Sequence, residues 1–123
     1  MLASNIQNII APGTVMNTTI NSAPVPLMQS WGYAIQVVFT GVPTGNFQLQ
    51  ASCDPIPQAR VEEVPPTNWS TVINSTIAVS AAGNLLWNVA DMAYTYVRVV
   101  YTDTSGGTST AVITACNFNG KGV

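Results

Sequence analysis

Side chains that could carry out chemistry are few in this sequence, and histidine is absent from it. Its absence excludes the commonest general base, the usual catalytic triads and most zinc sites. Five carboxylates remain: Asp54, Asp91 and Asp103 beside turn residues, and Glu62 and Glu63 in a proline-flanked loop. Two of them brought together in space would make a glycosidase pair, but Asp in such places typically stabilises turns. We therefore expect no catalytic residue, no metal site and no cofactor.

The two cysteines, Cys53 and Cys116, have neither the paired spacing of a zinc site nor the density of a secreted disulfide scaffold. Free cysteine is among the most often buried residue types. Two reduced, buried thiols are the favoured interpretation, and a disulfide between the strands that carry them stays open.

Arg98 lies inside an otherwise uncharged run of aromatic and β-branched residues. A charge within such a strand usually has a partner. Alternation puts Arg98 on one face with Tyr94 and Tyr96, and we expect a structural residue held flat against tyrosine rings and paired with Asp91 or Asp54. Clamping a carboxylate or phosphate of a ligand is the functional alternative.

Three tryptophans, Trp31, Trp69 and Trp87, could form a platform for stacking sugars, as aromatic faces do in carbohydrate-binding modules. In a sandwich, tryptophans more often pack in the core and at its rim. We favour a structural role for all three.

The elements that position these residues are predicted strands, because apolar side chains recur at every second position. Trp31–Thr40 has a large aromatic or aliphatic residue at every odd position, which predicts a half-buried strand. A turn over residues 41–46 and a second alternating stretch over 47–53 predict a hairpin. Residues 94–102 and 108–118, around a Ser-Gly-Gly turn, predict a second and longer hairpin.

Between these hairpins the pattern is weaker. Residues 54–68 hold four prolines and predict an extended connection, residues 71–80 one bent or two short strands, and residues 85–89 a short strand. No stretch keeps a helical period, apart from a short turn that residues 5–10 could form. We predict an all-β fold, a single-domain antiparallel β-sandwich of about seven to nine strands that is jelly-roll-like or of a related type, with its strand order left open. An immunoglobulin domain is disfavoured, because its tyrosine two residues before the second cysteine is Thr114 here.

The N-terminal segment is predicted to be an extended arm over residues 1–14, ahead of a sandwich domain over residues 15–123. It carries four apolar side chains before the first convincing strand: Leu2, Ile6, Ile9 and Ile10. Burial of each is worth about 1.5 to 3 kcal/mol. The sandwich itself could bury them, but a short segment of this kind often crosses to a neighbour, so we expect these residues to form an interface between subunits.

Charge is scarce in this chain of 123 residues, at 7% of the sequence where an average soluble domain has about 25%. Polar cover must come from Thr, Ser, Asn and Gln, which are cheap to bury in a contact. The composition therefore indicates an assembly subunit. The three cations, Arg60, Arg98 and Lys121, are far apart, which argues against nucleic acid as a partner. No apolar run approaches the ~18 residues of a membrane span, and the start lacks the basic region of a secretion signal.

From Trp31 onward the chain resembles small β-sandwich virion proteins of tailed bacteriophages. The matching motifs are an aromatic-led strand, a Gly-x-Pro-x-Gly-x-Phe connection, a Ser-x-Asp-Pro strand end, a Trp opening the next strand, and a Tyr-x-x-Val-Arg-Val-Val-Tyr strand before a Ser-Gly turn. They stand in the segments WGYAIQVVFTGVPTGNFQLQASCDP, NWSTV, LLWNV, YTYVRVVYTDTSGGTSTAVI and NGKG. Cys53 departs from the pattern, in which a polar residue is expected, and the first thirty residues match no family.

The resemblance implies a viral sandwich and a non-enzymatic structural protein of the virion, assembled in the host cytoplasm. A capsid decoration or cement subunit would bind the shell of the major capsid protein and contact copies of itself as a homo-oligomer, with neither nucleic acid nor membrane as a partner. The alternative is a tail or fibre-base module that contacts a host glycan through exposed Trp and Tyr.

Overall fold

Eleven β-strands make up the part of the chain that the computed structural model describes, residues 5–27, 30–55 and 65–122. Within these ranges, no helix is long and apolar enough to cross a membrane. The strands are β1 (Asn5–Asn8), β2 (Thr14–Val15), β3 (Ile20–Asn21), β4 (Val25–Pro26), β5 (Ser30–Thr40), β6 (Gly45–Ser52), β7 (Ser70–Thr71), β8 (Ile77–Val79), β9 (Gly83–Val89), β10 (Tyr96–Asp103) and β11 (Val112–Gly122).

The strands form two sheets in which every pairing is antiparallel. The five-stranded sheet has the order β1-β11-β5-β9, and β2 also pairs with β11. The six-stranded sheet has the order β3-β10-β6-β7, with β4 on β10 and β8 on β6. The sequence repeatedly passes from one sheet to the other, and this order is that of a jelly roll. The prediction of an all-β antiparallel sandwich is confirmed.

Both predicted hairpins are wrong, because the strands of each lie in different sheets. β5 belongs to the five-stranded sheet and β6 to the six-stranded one, and β10 and β11 are divided in the same way. Residues 41–44 connect the two sheets, and they lie beside the connection from β10 to β11. Gly41 has a φ of 85°, and a Cβ there would lie 2.9 Å from the Cα of Ala111. Alternation identifies residues that face inward but leaves the pairing partner open, since both sheets cover one core.

The core lies between the sheets and consists of alternate residues from the long strands. The Phe47 ring lies 4.8 Å from that of Tyr101 and 5.6 Å from that of Phe39, measured between centroids. Trp87 packs edge-on against Phe47, and its indole Nε1 donates to the carbonyl of Ser75 at 2.9 Å. The inward positions predicted for β5 from Tyr33 to Phe39 are buried, as the period of two requires.

A β-bulge interrupts the alternation of β11. The register with β5 shifts between Ile113 and Ala115, which leaves Thr114 exposed with its hydroxyl donating to the carbonyl of Val38. After the bulge, Cys116 and Phe118 are the residues that face the core. An extra residue of this kind changes which side chains point inward, and the sequence of the strand gives no signal of it.

The described part of the N-terminal segment packs on its own chain. β1 pairs with β11, and the amide of Ile9 donates to the carbonyl of Cys116 at 2.8 Å. Ile9 and Ile10 are buried in the core, at 7% and 5% exposure. In the structure these two residues therefore fill their own sandwich, while Leu2 lies outside the described residues.

Candidate interaction surface

The outer face of the five-stranded sheet is a surface of amides and small apolar groups. Strand register places its residues in rows that run across β1, β11, β5 and β9. One row reads Ile6, Asn119, Ala34 and Asn88; the next reads Asn8, Asn117, Gln36 and Leu86. A third row, without β1, reads Ala115, Val38 and Asn84. Each of these side chains points away from the core because its neighbours along the strand point into it.

No residue of these rows carries a charge, and two of them are large apolar side chains in contact with solvent. Ile6 is 66% exposed and Leu86 is 59% exposed. Lys121, at the end of β11, is the charged residue of the strand segments that form this face. An exposed Ile and Leu among rows that carry no charge mark a surface that loses little free energy when it leaves water.

A shallow groove at one end of this face, about 270 Å³ in volume, has Trp31, Asn88 and Lys121 in its lining. Trp31 is 44% exposed, and the Lys121 ammonium lies 4.8 Å from the centroid of its ring. One ring face therefore already holds a cation. Trp31 thus lies at the rim of the sheet, whereas the other odd residues of β5 are buried.

Arg98 lies on the outer face of the opposite, six-stranded sheet. Its Nε and Nη2 donate to Oε1 of Gln50 at 2.9 and 2.6 Å, and its Cζ lies 4.3 Å from the centroid of Trp69. The expected stacking on an aromatic ring is present, but the ring is Trp69, and among the described residues the polar partner is Gln50 instead of a carboxylate. Partial burial lowers the pKa of the guanidinium, which stays charged.

Of the two tyrosines expected beside Arg98, Tyr94 has another neighbour. Tyr94 precedes β10 and shares a hydrogen bond between hydroxyls with Tyr33, whose ring it meets edge-on. Burial raises the pKa of Tyr33 far above its ordinary value, and the hydrogen bond with Tyr94 adds to this. Tyr96 is buried on the side of β10 away from Val97, which is also the side of Arg98. The structure thus divides the six residues predicted as a structural set: Trp87 is in the core, Trp31 is at one rim, Tyr94 is beside Tyr33, and Trp69 and Tyr96 are on the Arg98 side of the other sheet.

Two of the carboxylates bind backbone amides, Asp103 those of its own turn and Asp54 those of a segment further along the chain. Asp54 accepts from the side-chain amide of Asn68 and from the backbone amides of Thr67 and Asn68. Asp103 accepts from the hydroxyl and amide of Ser105 and from the amide of Gly107. These hydrogen bonds hold the pKa of each carboxyl below its ordinary value. The largest effect comes from the side-chain amide of Asn68 for Asp54 and from the hydroxyl of Ser105 for Asp103.

Within the described ranges, no group of His, Cys, Asp or Glu is arranged to hold a metal ion. Glu62, Glu63 and Arg60 lie outside those ranges. Neither cysteine is bonded: Cys116 is buried, and burial raises the pKa of its thiol to about 12, whereas Cys53 is exposed. The expectation of two reduced thiols agrees with the structure, but Cys53 is not buried.

Sequence reasoning singled out Arg98 and the tryptophans and missed the rows of the outer face. The signal was present at β9, where Leu86 and Asn88 alternate with the inward residues Leu85 and Trp87. An exposed Leu between two Asn residues indicates an interaction surface only when the neighbouring strands repeat the pattern. That repetition becomes visible only once the strand pairing is known.

No family model matches the chain, and no curated protein matches it. Two solved structures of the coat protein of Tobacco streak virus are similar to it. The first is 10% identical in sequence, with an alignment that covers 99% of this chain and 86% of the coat protein chain, and has a TM-score of 0.48. The other, of the coat protein dimer, is 11% identical, covers 98% and 85%, and has the same TM-score. Likeness at this level carries no conclusion about function.

Proposed function

We propose that the chain is a structural, non-enzymatic protein of a virus particle, a capsid decoration or cement subunit that binds the shell of the major capsid protein and contacts copies of itself. The observation that carries the proposal is the outer face of the five-stranded sheet, whose three rows carry no charge and include the exposed Ile6 and Leu86. Such a subunit resides in the virion and is assembled in the host cytoplasm.

The chemistry of the face supports a permanent contact. Lys and Glu are depleted at the centres of interfaces because their desolvation is costly, whereas amides can exchange hydrogen bonds with water for hydrogen bonds with a partner. Four strands about 4.8 Å apart and the five residues from the first row to the third, rising about 3.4 Å each, give a patch of at most about 19 by 17 Å. That is less than half of the ~800 Å² that each partner buries in a standard interface. The size fits one of several contacts made by a subunit in an assembly.

The sequence supports the viral context in two further ways. Charged residues make up only 7% of the whole chain, so other surfaces are also inexpensive to cover. The motifs from Trp31 onward resemble virion proteins of tailed bacteriophages, and the structure gives them packing roles: Pro43, Gly45 and Phe47 of the Gly-x-Pro-x-Gly-x-Phe connection are all buried. Packing motifs indicate a shared fold more than a shared site.

Gln36→Lys tests the proposal, because Gln36 is exposed at the middle of the face on the central strand β5. Shells of the virus that encodes the chain, prepared without it, are sedimented with the wild type and the variant. The matched control is Thr102→Lys, at an exposed position on the other sheet. We expect shell binding by the wild type and the control and its loss in Gln36→Lys, with unchanged circular dichroism in all three. Equal binding by Gln36→Lys, or no binding by the wild type, would refute the assignment.

The second candidate, a tail or fibre-base module for a host glycan, is favoured by the groove beside Trp31. An indole at a rim with an amide and an ammonium nearby has the composition of a sugar site. Copy number in whole particles separates the two functions, since a shell protein is present in hundreds of copies and a tail module in few. A glycan whose binding is lost in Trp31→Ala but kept in Gln36→Lys would favour the tail module.

A further inference from the structure

Strand β9 is an unprotected edge of the sandwich. The edge of a sheet presents unpaired backbone N–H and C=O groups, and proteins usually shield it with short strands, prolines, bulges or charges. The other three edges have strands of two to four residues: β1 and β2, β3 and β4, and β7 and β8. β9 has seven residues, contains neither a charge nor a proline, and pairs within the described ranges with β5 alone.

The side chains of β9 have a symmetric order. Leu86 stands at the centre and faces outward, with Asn84 and Asn88 exposed at equal distances on either side. Leu85 and Trp87, between them, face the core. When such a strand pairs antiparallel with itself about Leu86, Leu86 of one copy meets Leu86 of the other, and Asn84 of each copy meets Asn88 of the other.

We propose that β9 binds β9 of a second copy of the chain in this register, about a two-fold axis at Leu86. The pairing deepens the self-contact in the proposed function and rests on it. Opposite residues in an antiparallel pair interact directly, so the contact combines a leucine pair, two amide pairs and the backbone hydrogen bonds of both edges. No charge is brought near another, and a contact of this kind is self-complementary, as a two-fold interface must be.

Pairing would also complete the surface described above. The two five-stranded sheets become one continuous sheet, and the row of Asn8, Asn117, Gln36 and Leu86 continues into the same row of the second copy. The three rows double in area and approach the size of a standard interface. An extended segment of another protein could add to the same edge, and the experiment below distinguishes it, because it starts from the purified chain alone.

Cross-linking tests the register. In a Cys53→Ser background, which removes the exposed thiol, Leu86→Cys, Asn84→Cys, Asn88→Cys and Gln36→Cys are oxidised separately and in mixtures. Opposite Cα atoms lie about 4.5 to 5.5 Å apart, within the range of a disulfide. We expect Leu86→Cys to cross-link with itself, and Asn84→Cys to cross-link with Asn88→Cys but not with itself. Gln36→Cys, exposed on the next strand, is the control. Cross-linking of Leu86→Cys no better than that control, or of Asn84→Cys with itself, would overturn the proposal.

Sedimentation equilibrium tests the same contact without a thiol. Leu86→Lys places two ammonium groups opposite each other on the axis and should weaken dimerisation by about tenfold or more, whereas Gln36→Lys should leave it unchanged. The free chain is used, so pairing can hold while shell binding fails in Gln36→Lys. A wild type that stays monomeric at every concentration, or gains protection of β9 amides only on the shell, would show that another protein occupies the edge.

Discussion

At the scale of single residues, Arg98 shows how one charge is kept on a sheet that has almost none. Its guanidinium is partly removed from water. Two hydrogen bonds to Gln50 and stacking on the face of the Trp69 ring replace the contacts with water that it loses. A planar guanidinium stacks on an indole with its apolar faces while donating at its edge, which an ammonium cannot do. These contacts describe a packing residue and leave little of Arg98 for a ligand.

Replacing Arg98 separates packing from charge. We expect Arg98→Met to lose clearly less stability than Arg98→Ala, because Met retains a long stem and a sulfur that packs favourably on an aromatic ring. The free energy of unfolding in urea is the measurement, with Thr102→Ala on the same face as the control. Equal losses in the two Arg98 variants would show that the charge and its bonds to Gln50 dominate instead.

The two hydrogen-bonded carboxylates predict sensitivity to acid. The pKa of Asp54 and of Asp103 lies below the ordinary value of 3.8 in the folded chain, so the unfolded chain binds more protons in that range. Their contribution to stability is therefore present above about pH 4 and is lost as the pH falls through the folded pKa. We expect the urea concentration at the unfolding midpoint of the wild type to decrease as the pH is lowered below 4. In the double variant Asp54→Asn with Asp103→Asn, this decrease should be smaller. An equally steep fall in that double variant would assign the acid sensitivity to other groups.

At the scale of elements, the connection between β5 and β6 depends on close packing at Gly45. A Cβ there would lie 2.2 Å from the carbonyl oxygen of Thr102 and 2.7 Å from the hydroxyl of Tyr101. The nearest atom is backbone and cannot turn aside. We expect Gly45→Ala to lower the free energy of unfolding by at least about 1–3 kcal/mol, as overpacking does, whereas Asn46→Ala next to it should have a small effect. A thermal scan of both variants would test this, and a stable Gly45→Ala would contradict the geometry.

Local pattern predicted the strands better than their partners. Apolar alternation located β5 and β6, and the apolar runs at residues 85–89 and 94–102 located β9 and β10. The pattern gave no register, and the favoured interpretation of short polar turns as hairpin loops failed twice. Gly41 and Pro43 occur equally in a hairpin and in a crossing between sheets, and only their contacts across the core distinguish the two. The outer rows could not be predicted for the same reason, since they exist only once pairing is known.

The N-terminal segment is an element with two kinds of apolar side chain. Ile9 and Ile10 are buried, so we expect Ile9→Ala and Ile10→Ala to cost about 2–5 kcal/mol of stability each. Ile6 is exposed, so Ile6→Ala should leave stability nearly unchanged, and if the segment contacts a neighbouring subunit it should weaken assembly. Urea unfolding and shell binding are measured on all three. Normal stability in Ile9→Ala and Ile10→Ala would show that the segment leaves its own core, as an exchanged arm would.

At the scale of the whole molecule, scarcity of charge links fold and proposed function. The formal net charge is −2, and the carboxylates of Asp54 and Asp103 are hydrogen-bonded within the chain. Long-range electrostatic steering and repulsion are consequently weak. On the proposed function, recognition would therefore depend on short-range contacts, which the outer face and the β9 edge offer.

Salt should therefore have little effect on association. A contact between uncharged faces holds no ion pair to screen, although the Debye length shortens from about 14 Å at 0.05 M to about 4 Å at 0.5 M salt. We expect the Kd for capsid shells and for self-association to change by less than about threefold over that range of NaCl, measured by sedimentation. Proteins that bind phosphate groups lose about 10³-fold or more in affinity over a narrower range, and provide the contrast. A steep loss of binding would mean that charged groups, on the partner or among Arg60, Glu62 and Glu63, make the contact. Weak dependence on salt, combined with loss of binding in Gln36→Lys, would locate the contact on the three uncharged rows. A charge buried in such a contact prevents binding, whereas dissolved ions have no ion pair there to screen.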